Sequence, residues 1–148
     1  MRTAVLIAVC VGSAGYGYGQ ADSAVILQFQ RAADSYAFAH RQDERRNAPA
    51  MQLTEGQFFT PIVAAAFRAR IRAATGAAGC HAPSQGEGRF EVPVVNASAA
   101  ASDPLPQCLT SALPRLPEEL EYRVAGVALI LADAHRNVVV DVLHAAFP

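Results

Sequence analysis

The chain has 148 residues, a formal net charge of −1, 52% hydrophobic residues and 17% charged residues. That length suits one domain with its own core and leaves no room for a second. Because the charge is close to neutral, nothing in it favours a nucleic acid or an anionic membrane surface as a partner.

The N-terminus has the pattern of a cleavable signal peptide. Arg2 supplies a positive start, and residues 4–11 (AVLIAVCV) form an apolar run that is far too short to span a bilayer. Small residues follow, so cleavage is expected after Gly19 or Ala21, with an earlier cut after Ala14 as an open alternative. No later apolar stretch reaches the ~20 residues of a spanning helix, and no integral membrane span is expected after processing.

Export has a consequence for the cysteines. We assign residues 1–21 to the leader and residues 22–148 to one mature domain, which would be periplasmic or secreted. Removal of Cys10 with the leader leaves Cys80 and Cys108 in a compartment where thiols oxidise. These two cysteines are therefore predicted to form a disulfide, which by loop-closure arguments stabilises the domain by about 3.5 kcal/mol.

The first predicted element of the mature chain is an amphipathic helix. Asp22-Ser23 offers an N-cap, and apolar side chains recur every three or four residues up to His40. Residues 41–46 are polar and end in cations, which the C-terminal end of a helix favours. Residues 47–49 (NAP) should terminate the helix.

A second helix is marked by residues at both of its ends. Thr60 is a good N-cap, Pro61 suits the first helical position and Gly76 suits the residue just past the last turn. Phe58 and Phe59, in the loop that precedes this helix, are expected to enter the core.

The middle of the chain is rich in glycine and proline. Residues 89–96 (RFEVPVVN) have strand character, but Pro93 cannot donate to a ladder and restricts the segment to a sheet edge. Residues 97–117 are predicted to be irregular apart from one short turn at residues 107–113. Cys108 lies in this arm and would tie it back to the end of the second helix.

The C-terminal part has the alternation of an antiparallel meander. Residues 120–124, 127–131 and 138–143 read as three strands, with a tight turn at Gly126 and a polar loop at residues 133–137. The predicted fold class is therefore α+β: two N-terminal amphipathic helices packed on one face of a small antiparallel β-meander, with one disulfide.

No assembled site is visible in the residue pattern. The histidines occur singly, without an H-x-x-x-H or C-x-x-C pair, so we predict no catalytic, cofactor-binding or metal-binding residues; the histidines are His40, His81, His135 and His144. A small hydrolase is the enzymatic alternative, with Cys80 as nucleophile, His135 as base and Asp133 as the orienting group.

Most of the mature chain resembles small exported bacterial proteins of unassigned function. The matching segments are DSYAFAHRQDERR, FFTPIVAAAFRARI, LPRLPEELEYRVAG and LILADAHRNVVVDVL, together with Cys80 and Cys108. The C-terminal segment, with Tyr122-Arg123-Val124 and Gly126, also resembles the meander that ends periplasmic nickel/cobalt-homeostasis proteins. The first resemblance implies export without an activity, and the second implies the β-meander more than a role in metal handling.

Taken together, these patterns predict a non-catalytic exported domain that binds or supports an envelope component, either an unidentified envelope protein or a small ligand. A small hydrolase and a metal-homeostasis accessory protein are the alternatives. No cofactor and no nucleic-acid partner are expected.

Overall fold

A computed structural model describes residues 17–83 and 91–147. Residues 1–16 of the predicted leader lie outside these ranges, so its cleavage remains a prediction. None of the helices in the two ranges combines the length with the apolar content that crossing a bilayer requires. The elements, in chain order, are α1 (Gly17–Arg46), α2 (Pro61–Thr75), β1 (Asp103–Pro104), α3 (Gln107–Ala112), β2 (Leu120–Ala125), β3 (Ala128–Asp133) and β4 (Val138–Leu143).

Helix α1 ends where the sequence predicts and begins earlier. Asn47 takes up the left-handed conformation with φ of 51°, which asparagine tolerates and which closes the helix. At the other end the helix starts at Gly17, so Asp22 lies inside it and does not cap it. The Asp22 carboxylate instead pairs with Arg70 of α2 at 2.6 Å, which fastens the two helices to each other.

Helix α2 has the predicted bounds. Thr60 is the N-cap, Pro61 is the first helical residue and Gly76 follows the last turn. Gly76 has φ of −77°, which any residue adopts, so its position does not depend on the freedom of glycine. The left-handed residue is Gly79, with φ of 83°, and it turns the chain just before Cys80.

The predicted disulfide is present. Cys80 and Cys108 are bonded with their Cα atoms 5.8 Å apart. Because Cys108 lies in α3, the bond ties this short helix to the end of α2, as expected from the sequence. Cys80 is buried within the main core.

The meander is confirmed and has one more strand than predicted. The sheet order is β1-β2-β3-β4, and every neighbouring pair is antiparallel. The added strand, β1, is two residues long and pairs Asp103 with Val124. Gly126, with φ of 57°, lies in the two-residue connection between β2 and β3, where such connections require left-handed residues.

One face of the sheet carries the main core, under the helices. Phe29 of α1 and Phe67 of α2 have their ring centroids 4.7 Å apart, and Tyr122 of β2 lies 6.1 Å from Phe67. Phe58 and Phe59 are buried among these rings, as predicted. These contacts pack α1 and α2 over the sheet, and the last turns of α1 lie against the turn between β3 and β4.

The opposite face of the sheet is buried as well, which the sequence analysis did not predict. Ala99, Ile130 and Val139 form a second cluster there, with Val92 and Val95 packed against it. Of the segment predicted as an edge strand, residues 91–96 are described, and Val92 and Val95 lie over this face. Backbone hydrogen bonds join residues 96–99 to β4. Strand β3 is apolar from residue 128 to residue 132, the pattern of a strand buried on both faces.

Candidate metal centre

A cluster of polar side chains lies where the last turns of α1 meet the connection between β3 and β4. His40 and Glu44 are one turn apart on α1, so they point in the same direction. Asp133 ends β3, and His135 follows it in the turn. The fold thus joins residues that are distant along the chain; Glu44 and His135 are 91 positions apart.

Asp133 is the centre of this cluster. The residue pattern predicts a polar loop at this position, but Asp133 is fully buried at the end of β3. One carboxylate oxygen, Oδ2, accepts a hydrogen bond from the Tyr36 hydroxyl at 2.7 Å. The other, Oδ1, accepts the backbone N–H groups of His135 at 2.9 Å and Arg136 at 2.7 Å, which shapes the turn that carries His135.

His40 is fully buried, and neither of its ring nitrogens has an aligned hydrogen bond among the described residues. Its Nε2 atom lies 2.9 Å from Oδ2 of Asp133, a close contact whose N–H direction is bent away from the oxygen. Its Nδ1 atom lies 3.6 Å from Oε2 of Glu44, beyond hydrogen-bond distance. Leaving a buried polar atom without a partner costs about 1–3 kcal/mol, and such atoms are rare in folded proteins.

His40, Glu44 and His135 have the composition of a metal site. One ligand atom from each lies within 4.8 Å of the other two. The two short contacts use different oxygens of Glu44: His40 Nδ1 lies 3.6 Å from Oε2, and His135 Nδ1 lies 3.4 Å from Oε1. Bonds of about 2.0–2.1 Å to a tetrahedral ion place its donor atoms about 3.3 Å apart, so the three donors would have to move closer together, and the exposed side chains of Glu44 and His135 are able to do so.

The cluster is closed on one side and open on the other. His40 and Asp133 are buried, whereas the side chains of Glu44 and His135 are each 44% exposed. Next to it, the buried carboxylate of Glu119 pairs with Arg41 of α1, so this neighbouring negative charge is compensated. An ion bound here would therefore be open to solvent on the side of Glu44 and His135, which are exposed, and closed to solvent on the side of His40, which is buried.

The other residues singled out in the sequence lie elsewhere or play other roles. Cys80 is bonded to Cys108, so its sulfur is not a free thiol in this oxidised form. Asp133 and His135 do lie together, but Asp133 binds the backbone N–H of His135 and not its imidazole. On the surface, His144 lies 3.0 Å from Glu55.

Sequence reasoning missed the pairing of His40 with Glu44. The available signal was their spacing of four residues on a helix, but His40 was counted with the apolar stripe because it follows that periodicity. A single histidine with a carboxylate one turn away is too common to predict a site. The second histidine comes from a distant turn and has no local pattern that points to α1.

The buried tyrosine beside the cluster predicts a loss of stability in alkali. Burial, and then the hydrogen bond to Asp133, raise the pKa of Tyr36 above its ordinary value, and burial also raises the pKa of Tyr122. A raised folded-state pKa contributes stability that is complete below the ordinary tyrosine value of about 10 and is lost as the pH rises beyond it. We expect the free energy of unfolding, measured in urea by circular dichroism, to fall above about pH 10. Tyr36→Phe should make that fall shallower; an unchanged profile in this variant would contradict the assignment.

An apolar groove of about 270 Å³ runs beside the cluster, lined by Ala39, Met51 and Phe58 among others. The ring of Tyr36 forms part of its wall, while the hydroxyl of the same residue donates to Asp133. The chain therefore has an apolar surface next to its buried polar cluster.

Comparison with known proteins adds no family to this description, because no family model, curated protein or solved structure matches the chain.

Proposed function

We propose that this chain is an exported, non-catalytic accessory domain that binds a divalent transition-metal ion through His40, Glu44 and His135. One observation carries the proposal: His40 is fully buried, has no aligned hydrogen bond and has Nδ1 3.6 Å from Glu44, in a group where one ligand atom each of His40, Glu44 and His135 lies within 4.8 Å of the other two. A metal ion bonded to all three would give this nitrogen the partner that the described residues do not supply.

The donor atoms favour a particular class of ion. Imidazole nitrogens suit zinc, nickel, cobalt and copper, whereas calcium and magnesium prefer sites made entirely of oxygen atoms. Three protein ligands also leave at least one coordination position open at the exposed side, next to Glu44 and His135. An ion held in this way can be exchanged, which suits a protein that takes up a metal and passes it on.

Export is the second part of the proposal. It is supported by the leader-like pattern of residues 1–21 and by the disulfide between Cys80 and Cys108, a bond typical of oxidising compartments. The metal ion would then be the small ligand expected of an envelope accessory domain. The resemblance of the C-terminal segment, with Tyr122-Arg123-Val124 and Gly126, to nickel/cobalt-homeostasis proteins favours the same function.

Calorimetric titration of the disulfide-bonded protein with zinc, nickel and cobalt tests the proposal. For at least one of these metals we expect one ion per chain with a dissociation constant below about 1 μM, equivalent to about 8 kcal/mol of binding free energy. His40→Gln, Glu44→Gln and His135→Gln should each weaken binding at least about tenfold, since each removes one of three ligands.

The matched control is His144→Gln. His144 lies beside an exposed glutamate, as His135 does, but it is outside the cluster. Its replacement should leave the affinity unchanged. Binding that stays weaker than about 10 μM for all three metals, or that is lost equally in this control, would rule out the site.

Hydrolysis is a second candidate function, favoured by the open side of the cluster. A zinc ion with three protein ligands retains a position for water and lowers the pKa of that water to about 7. A zinc-loaded protein that cleaves a chromogenic ester, and loses this activity in Glu44→Gln, would establish it. Zinc binding without such turnover would leave the accessory function.

A further inference from the structure

We infer that Asp133 is a positioning residue, which keeps the proton of His40 on Nε2 and so directs the lone pair of Nδ1 toward the ion. Tyr36 is the outer member of this arrangement, because it holds Asp133. The consequence for metal binding rests on the proposed function, whereas the protonation of the imidazole is a property of the metal-free chain.

The position of the proton on His40 depends on the surroundings of its two ring nitrogens. A neutral imidazole has an N–H on one nitrogen and a lone pair on the other. Nε2 of His40 lies 2.9 Å from a carboxylate oxygen of Asp133, and both groups are buried. A lone pair on Nε2 would face that negative oxygen without water to screen it. The proton therefore belongs on Nε2.

Asp133 is held in one orientation. Three donors hold its carboxylate: the Tyr36 hydroxyl on Oδ2 and the backbone N–H groups of His135 and Arg136 on Oδ1. A carboxylate fixed in this way can orient an imidazole, as carboxylates behind metal-bound histidines do. The same contacts shape the turn that carries His135, so Asp133 influences two of the three ligands.

The three proposed ligands differ in how far their side chains can move. His40 is enclosed, while Glu44 and His135 are exposed enough to change rotamer. An ion would bind the oriented nitrogen of His40, and Glu44 and His135 would then change rotamer to bind it as well. Loss of the outer-shell carboxylate should therefore weaken binding by about 10–100-fold without removing a ligand, the usual effect of such partners.

Nitrogen-15 NMR of the histidine-labelled, metal-free protein at neutral pH tests the inference directly. Long-range proton–nitrogen correlations should show His40 protonated at Nε2 and unprotonated at Nδ1. The exposed His81, which has no carboxylate contact among the described residues, is the internal reference for an averaging imidazole. A proton on Nδ1, or an averaged pattern like that of His81, would overturn the inference.

Two tyrosine variants form a matched pair for the zinc affinity. Tyr36→Phe removes the hydroxyl that holds Asp133, whereas Tyr122→Phe removes a buried hydroxyl that donates to the Pro114 carbonyl in another part of the core. We expect Tyr36→Phe to weaken zinc binding several-fold and to broaden the His40 signals, with no such change in Tyr122→Phe. Equal effects in both variants would point to general loosening and would contradict a positioning role.

Asp133→Asn is the stronger variant, expected to weaken zinc binding about 10–100-fold and to lose the single tautomer of His40. Should this variant fail to fold, the tyrosine pair and the wild-type spectrum still decide. The outcomes separate the two proposals. Zinc binding with the wrong tautomer overturns the role of Asp133 alone, and the expected tautomer without binding of zinc, nickel or cobalt overturns the metal site alone.

Discussion

Replacing Asp141 by alanine should lower the free energy of unfolding by about 3–5 kcal/mol, because four backbone N–H groups lose their acceptor at once. Oδ2 of this fully buried carboxylate accepts hydrogen bonds from the backbone N–H groups of Phe58 at 2.7 Å and Phe59 at 2.8 Å. Oδ1 accepts hydrogen bonds from the backbone N–H groups of Gly56 at 2.8 Å and Val142 at 2.9 Å. Hydrogen bonds to a charged group contribute about 1.5–3 kcal/mol each, and they are not additive.

The loss of stability should include more than the hydrogen bonds, because the loop that Asp141 holds carries two core residues. The side chains of Phe58 and Phe59 extend from this loop into the core, where the ring centroid of Phe59 lies 5.2 Å from that of Phe67. Asp141→Asn should lose much of the same stability, because the amide keeps one acceptor oxygen and turns an NH₂ group toward the remaining donors. Asp141 therefore links β4 to the aromatic core through a loop with little regular structure of its own.

Urea unfolding followed by circular dichroism measures these changes, since the chain contains no tryptophan for fluorescence. Asp34→Ala, on the exposed side of α1, is the matched control and should change stability by less than about 0.5 kcal/mol. A loss below about 1 kcal/mol in Asp141→Ala would contradict the anchoring role.

The second large effect is expected from the disulfide. Breaking the bond between Cys80 and Cys108 frees a connection of 28 residues and should lower the free energy of unfolding by about 3.5 kcal/mol. That connection includes residues 91–102, which cover the second face of the sheet. The cover should accordingly loosen first, and amide exchange in β4 around Val139 should speed up more than exchange in α1.

A double variant, Cys80→Ala with Cys108→Ala, avoids placing a polar hydroxyl where the buried sulfur of Cys80 lies. The wild-type protein in a reducing agent, with both thiols verified by mass after alkylation, should match it. Equal unfolding free energies for the oxidised and reduced proteins would show that the bond does not stabilise the fold.

Local chemistry accounts for the features that the sequence predicted well. Thr60, Pro61 and Gly76 predicted the bounds of α2 because these residue types are common at helix ends, although the φ of −77° at Gly76 is one that any residue adopts. Alternation predicted β2, apolar runs predicted β3 and β4, and Gly126 predicted the tight turn. The disulfide followed from the small number of cysteines left beyond the predicted leader. Apart from this count of cysteines, each signal lies within a few residues of the feature that it predicts.

The second buried face of the sheet had only an indirect signal. The apolar run in β3 is typical of burial on both sides, but a short apolar run alone does not distinguish this from a strand covered on one side. Which segment supplies the cover depends on the disulfide and on the path of residues 91–102 across the sheet. Residues 89–96 were predicted as an edge strand because of Pro93, but residues 91–95 form no strand, and pairing with β4 involves residues 96–99.

The sequence by itself determined the α+β class, both ends of α2, the C-terminal end of α1 and the partner of Cys80, because caps, periodicity and cysteine number act locally or by count. The tertiary structure alone decided that His40 and Glu44 lie close to His135, beside Asp133. Those contacts arise from the packing of Phe29 and Phe67 over the sheet, which sets the last turns of α1 against the turn after β3. Since that alignment depends on the whole core, no short stretch of sequence contains it.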